Sequence, residues 1–204
     1  MITNRDEVLE NALRVFAKLN YEKASQTEIA KACGLSKAGL LYYFPFKQDL
    51  YMAVVDKYLF EMQRPENKYR FTAIRSIPDF IDQYVEGIER TMQQMVRLLD
   101  DGHNPGECSL NLYYFHMLVQ VRLYYPDVDD KMKSFLEGNY RLWVKMIGEA
   151  QERGEIRREL DVEQTASMFH HIFWGRSFEE AFYKGLDTKK LHQELHLLYS
   201  LIKA

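Results

Sequence analysis

Two cysteines, Cys33 and Cys108, are too few to staple a chain of 204 residues, and both are expected to be reduced thiols. No apolar run reaches the roughly 18 residues that a membrane-crossing helix needs, and the amino terminus lacks a secretory pattern. A soluble, cytoplasmic protein is the expectation. No stretch alternates apolar and polar residues long enough to build a sheet, and no repeat of roughly 20 to 50 residues is evident. Paired nucleophile and base, phosphate-cradling glycine loop and recognisable metal spacing are all missing, which argues against an enzyme. A basic excess is missing too, since the formal charge is −3. That disfavours a DNA-organising protein, although cations matter only where they meet phosphates. Residues 1–50 hold seven Lys/Arg against six Asp/Glu, a balance of +1, which leaves −4 for the remainder.

What is present is helical punctuation, most densely between Ser25 and Phe44. Ser25 followed three residues later by Glu28 forms a capping box, in which each satisfies an N–H beside the other. Gly34 can take the left-handed conformation just past a helix end, and Ser36 can cap a second helix from Lys37. Ile29 and Cys33 on the first helix, Leu35 in the turn, and Leu40 and Tyr43 on the second supply the apolar contacts of two crossing helices. Ala30 stands where they approach most closely. A small residue, a turn glycine and a short connection together describe a helix-turn-helix, whose second helix enters the DNA major groove. The same packing also serves an ordinary αα-corner. Upstream, Val8, Ala12, Val15, Phe16 and Leu19 make one amphipathic helix, which Asn20 could end in a left-handed conformation.

Phe16, Tyr21, Ser25, Ile29, Ala30, Ala32, Gly34, Ser36, Lys37, Leu40, Tyr42, Tyr43, Phe44, Lys47 and Leu50 carry a resemblance to the TetR/AcrR family of bacterial transcriptional regulators. In motif it covers about the first fifty residues; beyond them only the helical layout agrees. The departures are Asn20 and Ala38, where the family usually has glycine, Leu41 in place of tyrosine, and Phe46 in place of a serine or asparagine cap. Leu41 removes a hydroxyl that in relatives often reaches a phosphate, leaving Tyr42 as the nearer candidate. The resemblance implies an all-α fold, with a three-helix DNA-binding domain over 1–46 and a six-helix ligand-binding and dimerisation domain over 47–204.

The remaining chain reads as helices throughout. One runs from Lys47 to about Arg64 and links the two regions; Pro65-Glu66-Asn67 breaks it. A long helix opens near Pro78 with Ser76 as its cap, and residues 100–106 form a loop by composition. Helices follow from Cys108 to Tyr125, from Val128 to Arg153, from Val162 with Asp161 as cap, and from about Thr188 to Lys203. The total is roughly nine.

Four groups of residues carry candidate chemistry. Lys37, Tyr42, Tyr43 and Lys47 bring ammonium groups and phenols to phosphates around one short helix. Ser36 caps that helix, and Ala38 with Gly39 leaves its leading edge bare for base edges. Ser25, Gln26 and Thr27 stand at the preceding helix N-terminus, where exposed N–H groups favour an anion. Tyr84, Met92, Tyr113, Tyr114, His116, Met117, Tyr140 and Trp143 would wall a pocket for a small apolar or aromatic molecule, although each taken singly is more often plain core. Phe169, Phe173, Trp174, Phe178, Leu191, Leu195 and Leu198 carry more apolar bulk than one thin layer buries. With the resemblance this implies a homodimer through the last two helices, placing two reading helices about 34 to 36 Å apart on a palindrome. His192 and His196 stand four apart, but no third ligand has a recognisable spacing; His170 with His171, and His103 with Cys108, offer less. No metal and no cofactor are expected.

The reading is a ligand-responsive transcriptional regulator, a repressor released from its DNA operator by a small effector, with no catalytic residues. The alternatives are a helical enzyme or binding protein using the aromatic pocket, and a regulator controlled without a small molecule.

Overall fold

Most helices begin where a side-chain oxygen can take up an otherwise unsatisfied N–H. The computed structural model describes residues 4–99 and 110–204. In α1 (Arg5–Lys18) the Asn4 side chain accepts from the Glu7 N–H. α2 (Gln26–Ala32) starts with the complete Ser25–Glu28 capping box, and α3 (Lys37–Tyr43) with Ser36, whose Oγ accepts from the Gly39 N–H at 3.1 Å. Between them Gly34 has φ +63°, the left-handed conformation that glycine takes without a Cβ penalty.

Asn20 behaves differently from the expectation. Asp127 is the only non-glycine residue with positive φ among the described residues, and α1 ends through extended backbone at Leu19. Asn20 instead accepts the Lys23 N–H on Oδ1 at 2.8 Å, a side-chain turn that makes the left-handed conformation unnecessary.

α4 (Lys47–Val55) has no side-chain cap at Phe46, so nothing replaces the missing serine or asparagine oxygen. It continues as a π-helical stretch over Asp56–Glu61, whose wider turn shifts the phase of every side chain after it. Where the sequence predicts only a break, Pro65–Lys68 forms a single turn, α5. Proline is well placed at a first position, where its missing N–H would have had no helical partner. Then come α6 (Ile77–Leu99), with Ser76 Oγ accepting from the Asp79 N–H, α7 (Leu110–Tyr124) and α8 (Asp129–Glu152). α9 (Val162–Ala181) is capped by Asp161 and α10 (Thr188–Ile202) by Asp187. The all-α prediction holds: the described residues have nine helices besides the turn α5, and their one extended pairing is an isolated bridge between Ile156 and Lys203. The predicted loop at 100–106 and the start of the next helix at Cys108 lie outside the described residues, as do His103 and the Cys108 thiol.

Two apolar clusters organise these helices. The first joins α1–α4 to the π-helical stretch, to Met95 and Leu99 at the end of α6, and to Met117 and Val121 of α7. The second is built by α6, α8, α9 and α10 around Trp143, with Phe80, Tyr84 and Phe169. α6 therefore contributes to both. It lies so close to the Tyr69 ring that a Cβ on Gly87 would stand 2.4 Å from Tyr69 Cδ1. That ring cannot yield easily, because it stacks on Tyr84 at 5.0 Å and its hydroxyl donates to Asn139 Oδ1 at 2.8 Å. Among the described residues no helix is long and apolar enough to cross a membrane.

Candidate DNA-binding head and effector cavity

The helix-turn-helix is held from beneath by Ile29, Ala30, Cys33, Leu40 and Phe44, all buried. Burial raises the Cys33 thiol pKa to about 11, which leaves it an unreactive small hydrophobe. Above this layer Ser25, Thr27, Ser36, Lys37, Ala38 and Tyr42 are exposed, and Gln26, Gly39, Tyr43 and Lys47 are half-buried. Tyr42 is 85% exposed with its ring edge against Tyr43, which packs on the core below. The pair thus divides the two roles that the sequence left open for Tyr43.

Lys47 also departs from the expected picture. Its ammonium donates to the Tyr21 carbonyl at 2.8 Å and lies 4.2 Å from the centre of that ring, so it ties α4 to the α1–α2 connection. Lys37 has no such engagement among the described residues. Arg5, which the sequence does not single out, has its guanidinium 4.5 Å from the centre of the Phe44 ring, bringing a cation beside the end of α3. Nothing in the local sequence pattern marks it, because the contact crosses from α1.

The head is fastened to the body by polar contacts as well as apolar ones. Gln120 of α7 accepts the Tyr21 N–H at 2.6 Å, and His116 Nδ1 lies 3.2 Å from the Ala17 carbonyl oxygen. Arg14 of α1 donates to the Leu98 carbonyl at the end of α6, at 2.7 Å. His116, Met117 and Tyr113 consequently belong to the head–body seam rather than to an effector pocket.

A cavity with about 60 Å³ of free volume lies between α6, α7 and α9. That is more than the roughly 10 to 15 Å³ a single water-sized group needs, before any side chain moves. Of the eight pocket residues read from the sequence, Met92 and Tyr114 line it. Tyr84 and Trp143 are fully buried in the second cluster, and Tyr140 reaches outward to the Glu163 carbonyl. Phe173 and Trp174, expected at the dimer interface, wall the cavity instead, and the Trp174 Nε1–H is buried with no acceptor among the described residues. Its polar lining was invisible in the sequence: Gln63, Lys68, Thr91, Asn111 and Ser177. Asn111 Nδ2 donates to Ser177 Oγ at 3.2 Å, which orients that pair. Lys68 is buried, and burial lowers its pKa from 10.5 to about 7. No carboxylate pairs with it among the described residues; the nearest aromatic face is Phe173, 5.1 Å from Nζ.

The dimer residues also need correction. Phe169, Leu191, Leu195 and Leu198 are buried within the single chain, where α10 packs on α6 and α9, and cannot reach a second copy. Phe178 alone of the seven is exposed, at 52%. The outward faces of α9 and α10 carry Phe182, Leu197 and Leu201 as well. Helical stripes identified apolar helices but not which side of each meets its own chain.

The His192–His196 pair also has a neighbour that sequence spacing does not reveal. A third donor does exist, Asp82, brought to His192 and His196 from α6 by folding.

A helix-turn-helix head on an all-helical body is the architecture of a DNA-binding transcriptional regulator. Residues 8–54 match the family model described as "Bacterial regulatory proteins, tetR family". The chain belongs to the TetR family. It is 33% identical over 143 residues to the HTH-type transcriptional regulator RutR of Escherichia coli K12, covering 68% of this chain and 60% of RutR. It therefore spans less than two thirds of that relative. The HTH-type transcriptional repressor ComR of the same organism is 22% identical over 192 residues, 94% of this chain and 85% of ComR. A TetR-family transcriptional regulator from Rhodococcus sp. shares the fold across 97% of both chains, with a TM-score of 0.66 at 18% identity.

Proposed function

We propose that this chain is a homodimeric transcriptional repressor that leaves its operator when a small effector enters the α6–α7–α9 cavity. The observation that carries the reading is the position of α6. Ile88, Thr91, Met92 and Met95 line the cavity, Met95 is also part of the head's apolar cluster, and Leu98 accepts the Arg14 hydrogen bond from α1. An effector that displaces Met95 therefore acts on a helix that the head is fastened to. Repression and release need only a differential affinity, and a coupling of about 1 to 3 kcal/mol changes operator affinity about 5- to 150-fold. The transmitting element is not α4 alone, as the sequence suggests, but α4 together with the end of α6 and α7. The exposed apolar residues of α9 and α10, Phe178, Phe182, Leu197 and Leu201, form the dimer face in this reading.

The cavity also refines the effector. Methionine and aromatic walls take an apolar or aromatic body, and Lys68 supplies one cation to a site with no paired acid among the described residues. The effector then carries an anionic or strongly accepting group. Only protonated Lys68 pairs with a carboxylate, so affinity is full below about pH 7 and falls about tenfold per pH unit above it. Screening small aromatic carboxylates beside their neutral amides at pH 6.5 and 8.5 checks this; equal binding of both sets at both pH values removes Lys68 as the anchor.

The function itself is tested by fluorescence anisotropy with DNA from upstream of the chain's own gene and a scrambled duplex. Saturable, sequence-preferring binding is expected. Lys37→Ala should weaken it and lower the salt slope by about one unit, the signature of one lost phosphate contact. An unchanged slope takes Lys37 off the interface.

A further inference from the structure

Asp82 stands in the second turn of α6, and His192 and His196 stand one turn apart on the facing side of α10. His192 Nε2 lies 2.7 Å and His196 Nε2 2.9 Å from the same oxygen, Asp82 Oδ1, while the two Nε2 atoms are 3.1 Å apart. Three potential ligand atoms thus form a small triangle at the surface, each on a side chain that is partly solvent-accessible.

Hydrogen bonding alone explains this triangle poorly. For both imidazoles to donate to one oxygen, both must carry a proton on Nε2, and those two N–H groups then crowd each other at 3.1 Å. If one nitrogen gives its proton up, it loses its bond to Asp82. A cation removes the conflict, because all three atoms then present lone pairs to one centre. Tetrahedral coordination with bonds of about 2.0 to 2.1 Å separates ligand atoms by about 3.3 Å. The observed separations fall short of that by about 0.2 to 0.6 Å, a gap that half-exposed side chains close by small torsional shifts.

The geometry points to a binding site for one divalent d-block cation of the Zn²⁺ type, held by Asp82 Oδ1, His192 Nε2 and His196 Nε2. Two imidazoles and one carboxylate select such an ion over Mg²⁺ or Ca²⁺, which take all-oxygen sets. Histidines at i and i+4 on one helical face are suitably spaced, and the third ligand comes from a different helix, so the ion cross-links α10 to α6. Three protein ligands leave a fourth position for water or an outside ligand. Glu86, one turn beyond Asp82, lines the same surface recess but is already paired with Arg90 at 3.2 Å. The site lies toward the start of α6, whereas Met95 and Leu98 near its other end meet the head. It is therefore distinct from the effector cavity and does not depend on the regulator reading.

The test uses the full chain, stripped with chelator and dialysed, titrated with Zn²⁺ at pH 7.5 by calorimetry and by competition with a chromogenic chelator. One Zn²⁺ per chain is expected, with no comparable binding of Mg²⁺. His196→Gln and Asp82→Asn should each weaken Zn²⁺ binding at least tenfold, and His192→Gln/His196→Gln should abolish the one-per-chain event. Melting temperature should rise on adding Zn²⁺ to the wild-type chain and stay unchanged in the double variant, whose circular dichroism shows that it remains folded. Absence of stoichiometric binding in the wild type overturns the proposal. So does binding that the double variant retains, which would place the ion on other groups such as His170 and His171.

Discussion

Lys68→Met should make the protein more stable at pH 6.5, by on the order of 3 to 5 kcal/mol, and the advantage should shrink as pH rises toward 10. The amine is buried with no paired acid among the described residues, and burial lowers its pKa from 10.5 to about 7. Between those two values the unfolded chain holds a proton that the folded chain lacks, so wild-type stability rises with pH across that window. Below about pH 7 the folded state must bury an ammonium and the full penalty applies. Methionine fills a similar length with no charge, and nearby walls of Met92, Met95 and Phe173 suit it. Denaturant midpoints of both chains at pH 6.5 and 9.5 measure the difference. Parallel midpoints at both values would mean that the amine reaches solvent.

Trp143→Ala should cost about 3 to 5 kcal/mol, roughly 10 °C in melting temperature for a chain of this size. Trp143 is fully buried, stacked on Phe169 at 4.6 Å and met edgewise by Phe80 at 4.6 Å and Tyr84 at 5.0 Å. Removing the indole leaves a void bounded by three rings on two helices, Phe80 and Tyr84 of α6 and Phe169 of α9, and such rings cannot all collapse into it. Trp143→Phe should lose less. Phe178→Ala, on an exposed site of α9, should leave the stability of the single chain within about 0.5 kcal/mol. If Trp143→Ala instead left the melting temperature intact and altered effector affinity, the residue would belong to the cavity, as the sequence alone suggests.

Trp143 and Lys68 differ in how much of their surroundings is written in the sequence. Trp143 was recognisable as a large buried group from its helical stripe, yet the stripe could not say whether its neighbour is another ring or a ligand. Lys68 was not recognisable at all. It follows a proline break in a stretch without periodicity, and only the turn at Pro65–Lys68 and the approach of α6 and α9 bury it. Asp82 shows the same limit: one carboxylate on the polar side of an amphipathic helix looks solvated until α10 arrives with two imidazoles. The dimer face failed in a similar way, since Leu191 and Leu195 are apolar because α6 lies against them, while the exposed pair Leu197 and Leu201 occupies the other side of the same helix.

The sequence by itself determined the helices of the head, their caps at Ser25 and Ser36, the turn at Gly34, the all-α class and the family. These are interactions between residues three or four apart, or a conformation of one residue, so they are written locally and survive without knowledge of the rest of the chain. The tertiary structure decided which side of each apolar helix is core, which residues wall the cavity, that Lys47 serves Tyr21, and that Asp82 joins His192 and His196. Those pairings link residues from 26 to more than 100 positions apart, and the partner of an apolar or charged side chain is set by which helices pack together, not by its neighbours in sequence.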